Sequence, residues 1–376
     1  MNRVLVSIYI DPEYYPPTKN AILSLAQSTE KVVVLTRNLF SPNLNDYPSN
    51  VTFHKIGKLM TVQDSETKGT ISKIWDFLKF WLTYQYIILF KRIDTVIFYD
   101  AIPLFSFFVG LKPKNITYWY HNHDMPDIRF VRNYSIGWFS SKYEKDAMSK
   151  INYFSLPSVD RLIYYPNWTD MDRFLYIPNY PRLAQINNLN QTNRFEKFTI
   201  IFQGAIGEGH GIEDVISILK NLKEVNFILK GPVREAYRNK IDNLIEEHQV
   251  VDQVKWVGIT PYSELISLTS KCHLGIGIHQ GKDEVSKTLG TASNKIYEYL
   301  ACGLPIILFD NHQFRKNLGE APHVFYYDGN AIQLQNIIQE CIKDFESLSL
   351  SAKIEFKDKF TFETNFNTAL NTIYAN

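Results

Sequence analysis

The sequence predicts an α/β protein of two domains, each built on a parallel sheet with helices on both faces. Three observations predict this. The chain has 376 residues, more than one ordinary core accommodates. Apolar runs of strand length alternate with helical patterns over most of it, the order that builds buried parallel sheets. Between Pro166 and Glu196 the composition turns to Pro and Asn, as in a linker, and the alternation then restarts. Ligands sit at the carboxyl ends of strands in open parallel sheets. A cleft between the two domains, joined near Asn179, is therefore the expected binding place.

Composition narrows the class. With 45% hydrophobic residues and a net charge of +1, the chain is neither disordered nor a basic nucleic-acid binder. The cysteines Cys272, Cys302 and Cys341 are too few for a secreted disulfide framework, which points to a reducing, cytoplasmic setting. Aromatic residues reach 14%, more than a core requires, so some are expected to face a ligand or a lipid surface.

Val4–Ile10 reads as the first core strand. It is too short for a signal peptide and runs at once into Asp11, Pro12 and Glu13. Asn20–Ser28 reads as a helix, Val32–Thr36 as a strand, Ile71–Phe90 as a helix, Thr95–Tyr99 and Ile116–Tyr120 as strands, and Lys142–Lys150 as a helix. Asp76 and Lys79 disqualify Ile71–Phe90 as a membrane span. Two readings of it stand. It packs on the sheet, or it lies in a membrane interface with Trp75, Phe80, Trp81, Tyr84 and Tyr86 at headgroup level and Lys73, Lys79, Lys91 and Arg92 nearby. The second makes the protein peripheral on the inner face of the plasma membrane.

After the linker, strands are expected at Phe198–Gln203, Asn226–Lys230, Val254–Val257, His273–Ile278 and Pro305–Phe309. Helices are expected at Glu213–Leu222, Arg234–His248, Tyr262–Ser270 and from Asn294 to Leu300.

Two segments carry chemistry. Gly204-Ala205-Ile206-Gly207-Glu208-Gly209-His210-Gly211 lies between a strand and a helix. Such glycines admit a phosphate to the backbone and leave helix N–H groups aimed at it, or they simply make a tight turn. The other segment is Ser293 to Ile307. Lys295 and Glu298 share a helical face there, either as a surface ion pair or with Glu298 on vicinal hydroxyls and Lys295 near phosphate. His121-x-His123-Asp124 ends a strand and reads as a polar lining rather than a metal site. His279 ends another and opens the loop Gln280–Thr291.

The run Asn294-Lys295-x-x-Glu298-Tyr299-x-Ala301-x-Gly303-x-Pro305 resembles the retaining glycosyltransferases of GT-B fold, of the bacterial family 4 kind. Phe202–Leu219, Val254–Gly258, Ile177–Pro181 and Asp94–Asp100 with Tyr120–Asp124 resemble further segments of that family. The resemblance implies a domain over 1–178 that binds acceptor and a domain over 179–359 that binds the donor. It also implies a last helix, Phe362–Ala375 within 360–376, that packs back on the first domain. Glu298 would take the ribose diol, Gly258 and Ile259 would border the base, and His123 with Asp124 would act at the transferred sugar. Gly204, His210, Lys230, His279, Asn294 and Lys295 would line the donor, and Lys19 and His121 the acceptor. No cofactor and no metal is required; the donor is a nucleotide-diphosphate sugar, a UDP-sugar by expectation, and the acceptor a glycan or lipid-linked hydroxyl of cell-surface synthesis. Nucleic acid is not a partner.

The chain departs from the family pattern at three places. Ala205 and His210 stand where the glycine turn usually holds Arg and Lys, and Gly290 stands where a second Glu usually precedes Glu298. Lys295, Lys230 and Lys282 are the replacement cations, and Lys19 is a further one. A nucleotide-sugar 2-epimerase using His121, His123 and Asp124, or a nucleotide-sugar-binding protein without turnover, are the alternatives.

Overall fold

The computed structural model describes residues 2–39, 47–123, 131–168, 170–187, 193–260, 262–280 and 287–375. Asp124 and Lys282 lie outside the described residues. The chain divides into two units, Met1–Pro178 with Glu363–Asn376, and Asn179–Phe362.

Among the described residues, the first unit holds seven parallel strands: β1 (Arg3–Ile8), β2 (Lys31–Leu39), β3 (Val51–Met60), β4 (Thr95–Tyr99), β5 (Thr117–His121), β6 (Tyr153–Leu156) and β7 (Phe174–Tyr176). Their order is β3-β2-β1-β4-β5-β6-β7. The central strand β4 is buried along its whole length, as helices on both faces demand. β3 was not expected from sequence. It is an edge strand, mostly half-exposed, and its Thr52, His54, Lys55 and Lys58 break the apolar run that would have marked it. The single helix expected over Lys142–Lys150 is instead two short ones, Ile136–Lys142 and Glu144–Met148, meeting at Tyr143. Ser135 caps the first by accepting from the Trp138 N–H at 3.2 Å.

The Pro/Asn-rich stretch is also less of a linker than its composition implies. Phe174–Tyr176 pairs with β6, and Leu183–Asn187 is helical. The helix Thr70–Phe90 is continuous, and its Phe80 and Tyr84 are buried in the unit core. Those two side chains are therefore not available to an interface. Among the described residues, no helix is long and apolar enough to cross a membrane. The last helix, Phe362–Ala375, lays the Phe366 ring against Trp119, with centroids 5.8 Å apart.

Among the described residues, the second unit holds six parallel strands: β8 (Phe198–Gln203), β9 (Val225–Lys230), β10 (Val254–Val257), β11 (Leu274–Gly277), β12 (Ile306–Phe309) and β13 (Val324–Tyr327). Their order is β10-β9-β8-β11-β12-β13. Ile200, Phe202, Phe227, Leu229, Ile276 and Ile307 are buried in its core. Strand order reverses between β8 and β11, so their carboxyl ends flank the crevice that such sheets use for ligands.

Candidate functional site

The glycine turn leaves β8 at that crevice. Gly204 (φ +120°) and Gly231 (φ +135°) follow β8 and β9, and their backbones touch. A Cβ on Gly231 would lie 2.0 Å from the Gly204 carbonyl oxygen. The Gly204 N–H donates to the Lys230 carbonyl at 3.0 Å and the Ile206 N–H to the Pro232 carbonyl at 2.8 Å. Gly211 (φ +70°) starts the helix Ile212–Leu219, where a Cβ would meet Ile278 at 2.6 Å. Space and backbone angle thus account for these glycines. On the other side of Gly204 lies Lys295, with Nζ 3.7 Å from where a Cβ would stand.

Among the described residues, Lys295 is not part of a surface ion pair. It stands on the first turn of the helix Asn294–Ala301, half-buried, with its ammonium 4.2 Å from the centroid of the Phe202 ring. Burial holds its pKa down at about 7, with Glu298 pulling the other way. Glu298, one turn on, is buried. Its Oε2 accepts from Gln203 Nε2 at 2.5 Å, and the carboxylate accepts also from the Tyr262 hydroxyl. Thr269 Oγ1 in turn donates to Gln203 Oε1 at 2.6 Å. Burial pushes the Glu298 carboxyl up to about 7 against these hydrogen bonds. Two of the roughly four acceptor positions of a carboxylate are used, which leaves room for two hydroxyls.

Two imidazoles complete the group. His210 stacks on Phe202 with centroids 5.0 Å apart and meets His279 edge-on at 4.7 Å. Burial first, and the Lys295 charge second, push His210 down to about 4 and His279 well below its ordinary value. Both rings are neutral near pH 7, so His210 does not supply the cation missing from the turn. His210 Nδ1, His279 Nε2 and Asn294 Oδ1 are buried and have no hydrogen-bond partner among the described residues. Such atoms cost free energy unless a ligand satisfies them.

Of the other expected cations, Lys230 and Lys19 are engaged. Lys230 is buried and donates to the Gly258 carbonyl at 3.0 Å, tying β9 to the loop after β10. Gly258 and Ile259 are exposed there.

In the first unit, Lys19 pairs with Glu13 at 2.9 Å, and Tyr47 donates to the same carboxylate at 2.8 Å. Its charge is therefore balanced by Glu13. His121 is buried, with Nδ1 2.7 Å from Ser155 Oγ. It is neutral because burial drives its pKa well down. His123 stacks between Tyr99 (4.9 Å) and Tyr15 (5.4 Å), and its backbone N–H donates to Asp100 Oδ1 at 2.8 Å. Its Nδ1 is buried 3.8 Å from Asp100 Oδ2, with no hydrogen-bond partner among the described residues. Asp100 has φ +68°, a strained backbone angle for a residue with a side chain. Among the described residues, no group of three His, Cys, Asp or Glu is placed to hold a metal ion.

Sequence reasoning missed Gln203, Tyr262 and Thr269, which hold Glu298, and Phe202, which lies under Lys295. Only Gln203 left a signal, as the one polar end of an apolar strand.

Residues 185–353 match the family described as glycosyl transferases group 1. No curated protein matches the chain by sequence. Among solved structures, sucrose-phosphate synthase from Thermosynechococcus elongatus is similar at a TM-score of 0.70 and 13% identity, covering 100% of this chain and 98% of that one. Anabaena HepE in complex with UDP and glucose gives 0.69 and 14%, covering 100% of both. WaaG, a glycosyltransferase of lipopolysaccharide biosynthesis, gives 0.60 and 12%, covering 97% of this chain and 98% of that one. The chain therefore has the fold of the GT-B glycosyltransferases, and residues 185–353 match their group 1 domain.

Proposed function

We propose that the protein is a retaining glycosyltransferase that moves a sugar from a nucleoside diphosphate sugar, with UDP as the nucleotide, to an acceptor hydroxyl. The observation that carries this reading is the set of buried, unpartnered polar atoms on His210, His279 and Asn294, gathered with Lys295 at the β8–β11 crevice. The match over 185–353 covers these residues, and HepE binds UDP and UDP-glucose.

In this reading Glu298 accepts from both ribose hydroxyls with the positions Gln203 and Tyr262 leave open. Lys295 and the first turn of its helix meet the diphosphate, whose charge rises as it departs. His279 and Asn294 contact the sugar or the phosphate with neutral hydrogen-bonding atoms. No carboxylate is assigned as nucleophile in this reading, so no covalent glycosyl-enzyme is invoked, and departure and attack take the same face. His123 orients the transferred sugar, and Asp124 assists it. The product belongs to cell-surface glycan or lipid-linked oligosaccharide synthesis.

A second reading, nucleotide binding without turnover, is favoured by one observation: Ala205 and the neutral His210 replace both usual cations of the turn. Incubation with a panel of nucleotide sugars decides. Expected are thermal stabilisation by UDP, slow hydrolysis or transfer of a UDP-sugar with retained anomeric configuration by NMR, and loss of both in Glu298→Ala. An inverted product overturns the retaining assignment. Binding with no turnover for any donor and acceptor overturns the transferase.

A further inference from the structure

The helix Thr70–Phe90 is apolar on both sides. Phe80, Tyr84, Ile87 and Ile88 form its inner side, buried in the first unit's core. A surface helix ordinarily turns charge to water on the opposite side. Here the opposite side carries Ile71, Trp75, Leu82, Tyr86 and Leu89, which stand 4, 7, 4 and 3 residues apart and so share one line along the helix. All five are exposed, Ile71 by 74%, Trp75 by 58% and Leu82 by 52%. Phe90, 70% exposed, extends the line at its end. The stripe is about 27 Å long at about 1.5 Å per residue. An apolar surface of that extent marks a partner.

Charge identifies the partner. Lys73 and Lys79 lie on the helix, and Lys91 and Arg92 follow it. The helix's one acid, Asp76, is paired with Lys68 at 2.5 Å. Lys79 is exposed one turn from Trp75, and Lys91 Nζ lies 5.4 Å from the centroid of the Tyr86 ring at the stripe's edge. Cations beside an aromatic, apolar stripe suit the boundary between acyl chains and anionic headgroups. They do not suit a second copy, because pairing two stripes brings like charges together.

We propose that this face docks in the plane of an anionic bilayer, with Trp75 and Tyr86 at headgroup level and Lys79 and Lys91 on the lipid phosphates. The docking stands independently of the sugar-transfer reading.

Co-sedimentation of the full chain with vesicles tests it, comparing phosphatidylcholine alone with phosphatidylcholine plus phosphatidylglycerol. Expected is binding to the anionic vesicles that weakens with salt. Replacing Lys79 and Lys91 by Gln should weaken it about fivefold per charge, the equivalent of about 1 kcal/mol each. Trp75→Glu with Leu82→Glu should weaken it at least about tenfold, with an unchanged circular-dichroism melt, since both side chains are exposed. Should that variant fold poorly, quenching of tryptophan emission by brominated lipid reads the same contact, and Trp75→Phe should lose most of it. Absence of binding to anionic vesicles, undiminished binding or quenching in the variants, or a wild-type dimer that the double Glu variant dissolves would each overturn the proposal.

Discussion

Glu298 and Lys295 are charged groups held where burial disfavours charge, and each has a consequence in pH. Glu298 has its pKa raised to about 7 from 4.5. An acid shifted upward on folding costs stability that is absent below the unfolded value, grows as pH rises, and is complete above the folded one. Glu298→Gln removes that cost. It is expected to raise the melting midpoint at pH 8 by the equivalent of about 1–3 kcal/mol, once one imperfect hydrogen bond is discounted, and to leave it unchanged or lower at pH 5. Nucleotide binding should fall in the same variant, as where a functional group is kept at a stability cost. Melting curves at the two pH values check this, and a midpoint at pH 8 below wild type contradicts it. Lys295 has the opposite sign. Its pKa is held at about 7, and a diphosphate beside it favours the ammonium. Binding at pH 8 should therefore take up a proton, and affinity should decline as pH climbs past 7. Calorimetry in buffers of different ionisation enthalpy measures the uptake. In Lys295→Met the uptake should vanish and UDP affinity drop about tenfold to a hundredfold, the range for a charge-assisted hydrogen bond.

The turns after β8 and β9 position these side chains, and their backbones are pressed together. Gly231→Ala puts a Cβ 2.0 Å from the Gly204 carbonyl oxygen at a φ of +135°. Its expected cost is about 2–4 kcal/mol, read as a fall in the urea midpoint. Gly258→Ala, with open space around the new methyl and no positive φ, should change that midpoint little. Equal effects in the two would show that the contact between the turns is not what constrains Gly231. Longer elements of this kind were legible in sequence where both faces are buried. Thr95–Tyr99 and Phe198–Gln203 were read at their observed bounds because buried parallel strands appear as near-continuous apolar runs. β3 and β7 were not. One is an edge strand sprinkled with polar residues, and the other spans Phe174–Tyr176 inside a stretch whose Pro and Asn suggest a loop. The support of Glu298 was equally hidden, since Gln203, Tyr262 and Thr269 approach it only through tertiary packing.

At the scale of the whole molecule, the α/β class followed from alternation alone, but the return of the chain's end to the first unit did not; it rested on family resemblance. The physical tie is visible in the structure. The helix Phe362–Ala375 follows the second unit, yet it buries Phe366 against Trp119 on β5 of the first. One aromatic removed from such a site costs about 3–5 kcal/mol. Phe366→Ala should therefore weaken the first unit while leaving the β8–β11 crevice intact. Calorimetry separates the two effects. UDP bound at the crevice stabilises the second unit by mass action, about 2.7 kcal/mol at a hundredfold excess over its dissociation constant. In Phe366→Ala the component of the unfolding endotherm that UDP does not raise should move to lower temperature, and UDP affinity should stay at the wild-type value. If UDP affinity falls together with that component, the last helix supports the nucleotide site as well, and the units do not unfold as separate cooperative bodies.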